Sequence, residues 1–270
     1  TMTCYLVGNL ALADLLVCLT FYPIWITEFI QTVLNIDGDQ DLFCKLSRSS
    51  LLGLLFVSVA TLLLITVDRY IFIVKPLKYL LIVTEKRVRN IVAVIWIFSC
   101  GIIGLMAVYF KKSRERRRSY CNVLDEIYWP YEIIILYIPI FLIFLLNFKI
   151  LRIARIQKQR ILKESVNVGH RNENPYSRVS SFRLTTTLKS VKTFIIVLSI
   201  LAFSCFIPSV TGMSLYFWVC KSCSKTTTWY VVFNFELYGI NSIANAFVYG
   251  IRHAKYRKTF RHLFTNFCRR

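Results

Sequence analysis

Apolar residues dominate six stretches of this chain, and the polar positions between them fall into blocks. The apolar segments run over about 4–30, 46–74, 90–110, 127–151, 191–219 and 229–251. Each is close to or longer than the roughly 20 residues that a helix needs to cross a bilayer. The pattern therefore predicts six membrane-spanning helices. The first segment does not read as a cleaved signal peptide, because it lacks a basic start, is too long and carries Asp14 in its middle. The polar stretch at about 157–187, with Asn167, Gly169, Asn172, Asn174 and Pro175, reads as a solvated linker. After Gly250, Tyr256, Phe260, Leu263 and Phe264 recur at helical spacing among cations, as in a helix lying on the inner leaflet. The chain thus divides into a transmembrane domain, 1–251, and a cytoplasmic amphipathic helix and tail, 252–270.

Composition agrees with the pattern. The 270 residues are 56% hydrophobic and 15% aromatic, with a mean hydropathy of +0.54, which leaves too little polar surface for a soluble protein of this size. The formal charge of +20 raises nucleic acid as a partner, but its placement argues against that. Cations concentrate in 75–89, 149–192 and 252–270, and the positive-inside rule puts all three in the cytoplasm. Residues 111–118 break the rule: six cations and one acid fall on the outside. That loop is either a solvated charge run or a device that steers an acidic ligand.

Asp68-Arg69-Tyr70 closes the second apolar run, at a boundary where an acid–base pair is costly unless it has a function. Asp14 follows Asn9-Leu10-Ala11-Leu12-Ala13 in the first run. Ser58 lies eleven residues before Arg69, on nearly the same helical face, and Asn241 and Asn245 stand one turn apart in the last run. Trp96, Pro139 and Cys205-Phe206-Ile207-Pro208 mark the runs between. Together these residues resemble the class A, rhodopsin-like G-protein-coupled receptors, over nearly the whole chain. The resemblance implies an all-α seven-helix membrane bundle in which the first segment here is the family's second helix, so the family's first helix is expected upstream. The Asn245-Ala246 form of the last motif, ending in Tyr249-Gly250, and Tyr22-Pro23 are similar to melatonin receptors, which usually carry N-R-Y where this chain has Asp68-Arg69-Tyr70.

The resemblance further implies a receptor, not an enzyme, at the plasma membrane. Its expected partners are a heterotrimeric G protein, arrestin, a receptor kinase, the lipid bilayer and an extracellular small-molecule or peptide ligand. Coupling and switching map onto Asp68, Arg69, Tyr70, Asn245 and Tyr249. An allosteric sodium ion, with no other cofactor, maps onto Asp14, Ser58, Asn241 and Asn245. The outer disulfide maps onto Cys44 and Cys121, with Cys220–Cys223 as a second candidate and Cys268 as a palmitoylation candidate. Expected pocket residues are Trp25, Glu28, Arg48, Leu51, Tyr131, Phe206, Met213, Phe235 and Tyr238. Leu51 stands where aminergic receptors carry an aspartate, which argues against a biogenic amine. Arg48 and Glu28 either pair with each other or read a charged ligand. The chain departs from the family's pattern at Asn147, Phe206 and Ala246, and Leu188 occupies the place of an acid that locks the arginine in many members. A receptor-shaped protein with impaired signalling, and a small transporter or channel, are the alternative readings.

Overall fold

The computed structural model describes residues 2–34, 40–109, 111–113, 120–122, 130–131 and 133–167, together with Ser242 and Asn245. Outside them lie Phe206, Met213, Phe235, Tyr238, Asn241, Tyr249, Cys220, Cys223, Cys268 and the expected tail helix. The described architecture is helical: α1 (Met2–Leu34), α2 (Gln40–Val74), the short α3 (Tyr79–Ile82), α4 (Glu85–Tyr109) and α5 (Ile138–Asn167). Four stretches within it are long and apolar enough to cross a membrane: Cys4–Thr27, Lys45–Val74, Glu85–Val108 and Ile133–Ile153.

Helix α2 is the hub, packing against α1, α4 and α5. Leu6, Leu10, Ala13, Val17, Phe21 and Trp25 form the buried face of α1, at steps of three and four that keep them on one side. Leu51, Leu55, Leu62 and Ile65 of α2 meet them, and Leu136, Ile140 and Ile143 close the cluster from the α5 side. The opposite faces are equally apolar: Leu12, Leu15, Leu19 and Ile26 on α1, and Ile91, Val94, Ile97 and Phe98 on α4, are all exposed. In water so large an apolar exterior would drive aggregation; in a bilayer it is the solvated surface.

Threonine side chains inside these helices are satisfied locally. Thr20, Thr27, Thr61 and Thr66 each donate to the carbonyl four residues back, at 2.7–2.8 Å. The approach of α4 to α2 depends on Gly53, where an added Cβ would run into Ile103, and Ser99 Oγ donates to the Gly53 carbonyl at 2.9 Å. Pro76 ends α2, since it cannot donate an N–H and biases the residue before it away from helix. Arg87 then bonds the Leu81 and Ile82 carbonyls at the end of α3, at 3.3 and 3.1 Å.

Three features go beyond the sequence pattern. The basic loop after α4 forms a two-stranded antiparallel hairpin, β1 (Lys111–Ser113) with β2 (Tyr120–Asn122), in the register Lys112 opposite Cys121. Both strands rest against α2. A π-helical turn, Ile133–Tyr137, precedes α5. Pro139 has no N–H and crowds the carbonyl of Ile135, and a wider turn relieves that clash. Finally, α5 runs on to Asn167, into the stretch read as linker. Gln157, Lys158, Gln159, Arg160, Leu162, Lys163 and Glu164 are strong helix formers, and they carry the helix past the membrane boundary.

Candidate functional site

Three polar layers are stacked along α2. In the middle layer Ser58 Oγ donates to Asp14 Oδ1 at 2.9 Å, joining α2 to α1. Ser242 and Asn245 are buried and lie near enough to bond the same carboxylate. Asp14 Oδ2 nevertheless carries no hydrogen bond among the described residues, and neither does Asn245 Nδ2. A carboxylate with one orphaned oxygen, ringed by hydroxyl and amide groups, has the donor chemistry that a small hard cation seeks.

A second polar tie lies beside it. Trp96 Nε1 donates to Asn9 Oδ1 at 2.9 Å, and Asn9 Nδ2 donates to Thr61 Oγ1 at 2.9 Å. One asparagine thereby fastens α1 to both α2 and α4, through bonds shielded from water.

At the inner end Asp68 is buried and Tyr79 Oη donates to its Oδ1 at 2.7 Å. Phe72 packs edge-on against the Tyr79 ring, with centroids 5.3 Å apart. Burial, then the bond to Asp68, pushes the Tyr79 phenol up to about 12. It therefore stays protonated, and a donor, at physiological pH. Arg69 is half-buried next door, and its Nε has no hydrogen bond among the described residues. Asn147 faces inward from α5, buried, with its Nδ2 likewise unbonded among them.

At the outer end the Arg48 guanidinium stacks on Trp25, its carbon 3.7 Å from the ring centroid. Trp25 in turn stacks on Phe21 at 5.9 Å. Leu51, one turn deeper than Arg48, is fully buried in the same cluster as Trp25. Tyr131, also buried, donates its hydroxyl to the Leu52 carbonyl at 2.7 Å.

The family model for the seven-transmembrane receptors of the rhodopsin family matches residues 1–249. This chain belongs to that family. Among its relatives is the adenosine receptor A2a of Canis lupus familiaris, 26% identical over 284 residues that cover 96% of this chain and 63% of the relative. The adenosine receptor A2b of Mus musculus is 34% identical over 126 residues, 47% of this chain and 36% of the relative. The histamine H2 receptor of Canis lupus familiaris is 26% identical over 196 residues, 70% of this chain and 52% of the relative. The chain spans a little under two thirds of the length of the A2a relatives it matches.

Within this receptor-family chain the structure brings Asp14, Ser58 and Asn245 together, and likewise Trp25, Arg48 and Leu51. Tyr70 is half-buried at the end of α2, beside Arg69. Of Glu28, Cys44 and Cys121 the backbone alone is described: Glu28 one turn beyond Trp25 on α1, Cys44 in the first turns of α2, Cys121 in the strand that rests on α2. Two participants were absent from the sequence reading. Ser242 lies three residues before Asn245, and that one-turn spacing was the available signal. Tyr79 is brought to Asp68 by the chain reversal at Lys75-Pro76, which no periodicity encodes.

Proposed function

We propose that this chain is the signalling core of a plasma-membrane receptor that binds an extracellular ligand and activates a heterotrimeric G protein. The observation that carries the reading is the single helix α2, which bears Arg48, Ser58 and Arg69 in the outer, middle and inner polar layers. Arg48 and Arg69 are about 32 Å apart along a helix of this register, close to the thickness of the hydrocarbon core. A ligand that prefers one arrangement around Arg48, Trp25 and Tyr131 shifts α2 against its neighbours and changes what Arg69 presents to the cytoplasm. The ligand needs only a differential affinity for the two arrangements. Arrestin and a receptor kinase are the further cytoplasmic partners of this reading. The outer ends are fastened by a Cys44–Cys121 disulfide, consistent with the packing of the β2 strand on α2.

The middle layer fits a sodium ion. Asp14, Ser58 and Asn245 would hold it, with Asn241 completing the set and Ser242 at hand. A sodium ion bound there would supply a countercharge to the buried Asp14 carboxylate. The protein's own residues do the rest: Ser58 orients Asp14, and Asn245 lies near enough to bond the same carboxylate.

The named relatives are receptors for adenosine and histamine. Leu51 offers no charge to an amine, so the amine reading is the less favoured of the two. The test is energy transfer between labelled G-protein subunits in cells expressing the full receptor or its Arg69→Ala variant at matched surface levels. The proposal expects subunit dissociation with the first and none with the second. Equal dissociation in both removes Arg69 from the mechanism.

A further inference from the structure

Between the inner ends of α2 and α4 the chain turns an apolar face outward. The turn at Lys75–Lys78, closed by the Lys78 N–H on the Lys75 carbonyl at 3.2 Å, runs straight into α3. There the Ile82 and Val83 N–H groups bond the Lys78 and Tyr79 carbonyls at 3.1 and 2.8 Å. Along this helical stretch Leu80 and Leu81 stand three and four residues after Leu77, on one face. The leucines are 94%, 79% and 74% exposed in the order Leu77, Leu80, Leu81, and α3 contains no buried residue. The other face is engaged with the protein: Tyr79 donates to Asp68 and packs on Phe72. Arg87 of α4 bonds the Leu81 and Ile82 carbonyls. The segment is thereby held with its leucines outward.

Position and charge identify what covers that face. The crossing stretch Lys45–Val74 ends on one side of it and Glu85–Val108 begins on the other. The leucines therefore sit at the inner surface of the bilayer, the side to which the cations assign this loop. Lys75, Lys78, Lys86, Arg87 and Arg89 are exposed around them, against one exposed acid, Glu85. Apolar side chains among cations at a leaflet surface enter the acyl boundary while the cations meet headgroups. A zwitterionic leaflet would cover the leucines and leave the five cations without countercharge. An anionic one answers both.

We propose that residues 75–89 form a docking site for anionic phospholipid of the inner leaflet. Leu77, Leu80 and Leu81 enter the acyl boundary, and Lys75, Lys78, Lys86 and Arg89 meet the headgroups. Arg87 is a positioning residue here: its Nη1 is engaged by the α3 carbonyls, which fixes the leucine face relative to α4. The site lies at the opposite end of α2 from Arg48, and it requires the membrane topology but not G-protein activation.

The experiment uses the full receptor with Leu81 replaced by the photoreactive p-benzoylphenylalanine, in nanodiscs without G protein. The discs are phosphatidylcholine with equal traces of labelled phosphatidylserine and labelled phosphatidylcholine of identical chains, and the readout is the ratio of labels transferred on irradiation. At about 0.15 M salt the ratio should favour phosphatidylserine by about threefold or more. It should fall toward one at about 1 M salt, where the screening length drops from about 8 to about 3 Å. The combined variant Lys75→Gln, Lys78→Gln, Arg89→Gln should lower it likewise at unchanged Tm, and the salt series decides the matter without a variant. Leu77→Ser with Leu80→Ser should reduce total transfer to lipid several-fold. The reference position is Ile97, 70% exposed on α4. It lies about 18 Å from the inner end of that helix and should give a ratio near one. Glycerophosphoserine, the headgroup without chains, should leave the Leu81 ratio unchanged at millimolar concentration. The inference is overturned by a wild-type ratio of one, by a ratio that ignores salt, or by an equal preference at Ile97. It is also overturned if glycerophosphoserine abolishes the preference, which makes this a site for free anions. Transfer to an added G protein, with no lipid preference in its absence, makes the face a protein interface and overturns it too. A receptor that couples but shows no lipid preference overturns this inference alone. One with the preference that never couples overturns the signalling reading alone.

Discussion

Asp14→Asn separates the cation reading of the middle layer from a purely structural one. In the wild-type protein Ser58 satisfies Asp14 Oδ1, while Oδ2 has no hydrogen bond among the described residues. The asparagine keeps an acceptor for Ser58 and places N–H donors where the orphaned oxygen was, and the charge is gone. An unsatisfied buried polar atom costs about 1–3 kcal/mol, more when charged. In sodium-free choline buffer the variant should therefore be at least as stable as wild type, by about 1 kcal/mol or more. In sodium the order should close or reverse. A cation that binds only the folded protein, at about ten times its Kd, adds roughly 1.4 kcal/mol. At about 2–4 °C per kcal/mol for a domain of this size, that is a rise of about 3–6 °C in wild-type Tm and none in the variant. The assay is a thermal scan of the full receptor in nanodiscs, with sodium exchanged for choline at constant ionic strength. A variant that keeps the sodium-dependent rise refutes the assignment, as does a wild type that shows none.

Three further outcomes follow from the other layers. Asn9→Leu strands the Trp96 indole N–H and removes the bond to Thr61, and should lower stability by about 1–3 kcal/mol, read as a fall in Tm. Tyr79, with its phenol raised to about 12, favours the folded state fully below its ordinary value near 10 and loses that contribution as pH rises through 12. A phenolate absorbance titration of wild type minus Tyr79→Phe should show one tyrosine ionising near 12, and a difference titrating at 10 contradicts the Asp68 tie. Leu188 lies outside the described residues; if it stands where the family resemblance puts it, Leu188→Glu supplies an acid for Arg69, worth about 1 kcal/mol or less at a water-exposed mouth, and should lower basal nucleotide exchange by up to several-fold.

The membrane fold was legible because its signal is redundant: each of the four described spans rests on an apolar run of more than about 20 residues, which single polar residues do not interrupt, and the expected spans at 191–219 and 229–251 lie outside the described residues. Asp14 and Ser58 were legible together through the resemblance, whose motifs they match, and a carboxylate and a hydroxyl inside hydrocarbon must find polar company. Ser242 was less legible: three residues before Asn245 it is about 60° off that residue's phase, against about 40° for Asn241, so phase alone does not single it out. The Arg48 stack on Trp25 was half legible. Both residues were placed at the outer end, but their contact depends on how α1 and α2 are rotated about each other, which one sequence does not encode. The hairpin at 111–122 was hidden by its charge, since Lys111 and Lys112 read as solvated loop and strands of three residues show no alternation. The continuation of α5 to Asn167 was hidden for a related reason: the polarity of 157–167 resembles a loop, whereas the propensities of its residues favour helix.

The central claim is that Arg69 at the inner end of α2 drives nucleotide exchange on a G protein. Its most direct measurement is the rate at which purified full receptor in nanodiscs loads a non-hydrolysable GTP analogue onto purified heterotrimers, surveyed across the G-protein classes. The account predicts loading above the receptor-free rate with at least one class, reduced to the receptor-free rate by Arg69→Ala while the purified variant keeps its wild-type Tm. Loading at the receptor-free rate with every class, or loading that survives Arg69→Ala, contradicts it.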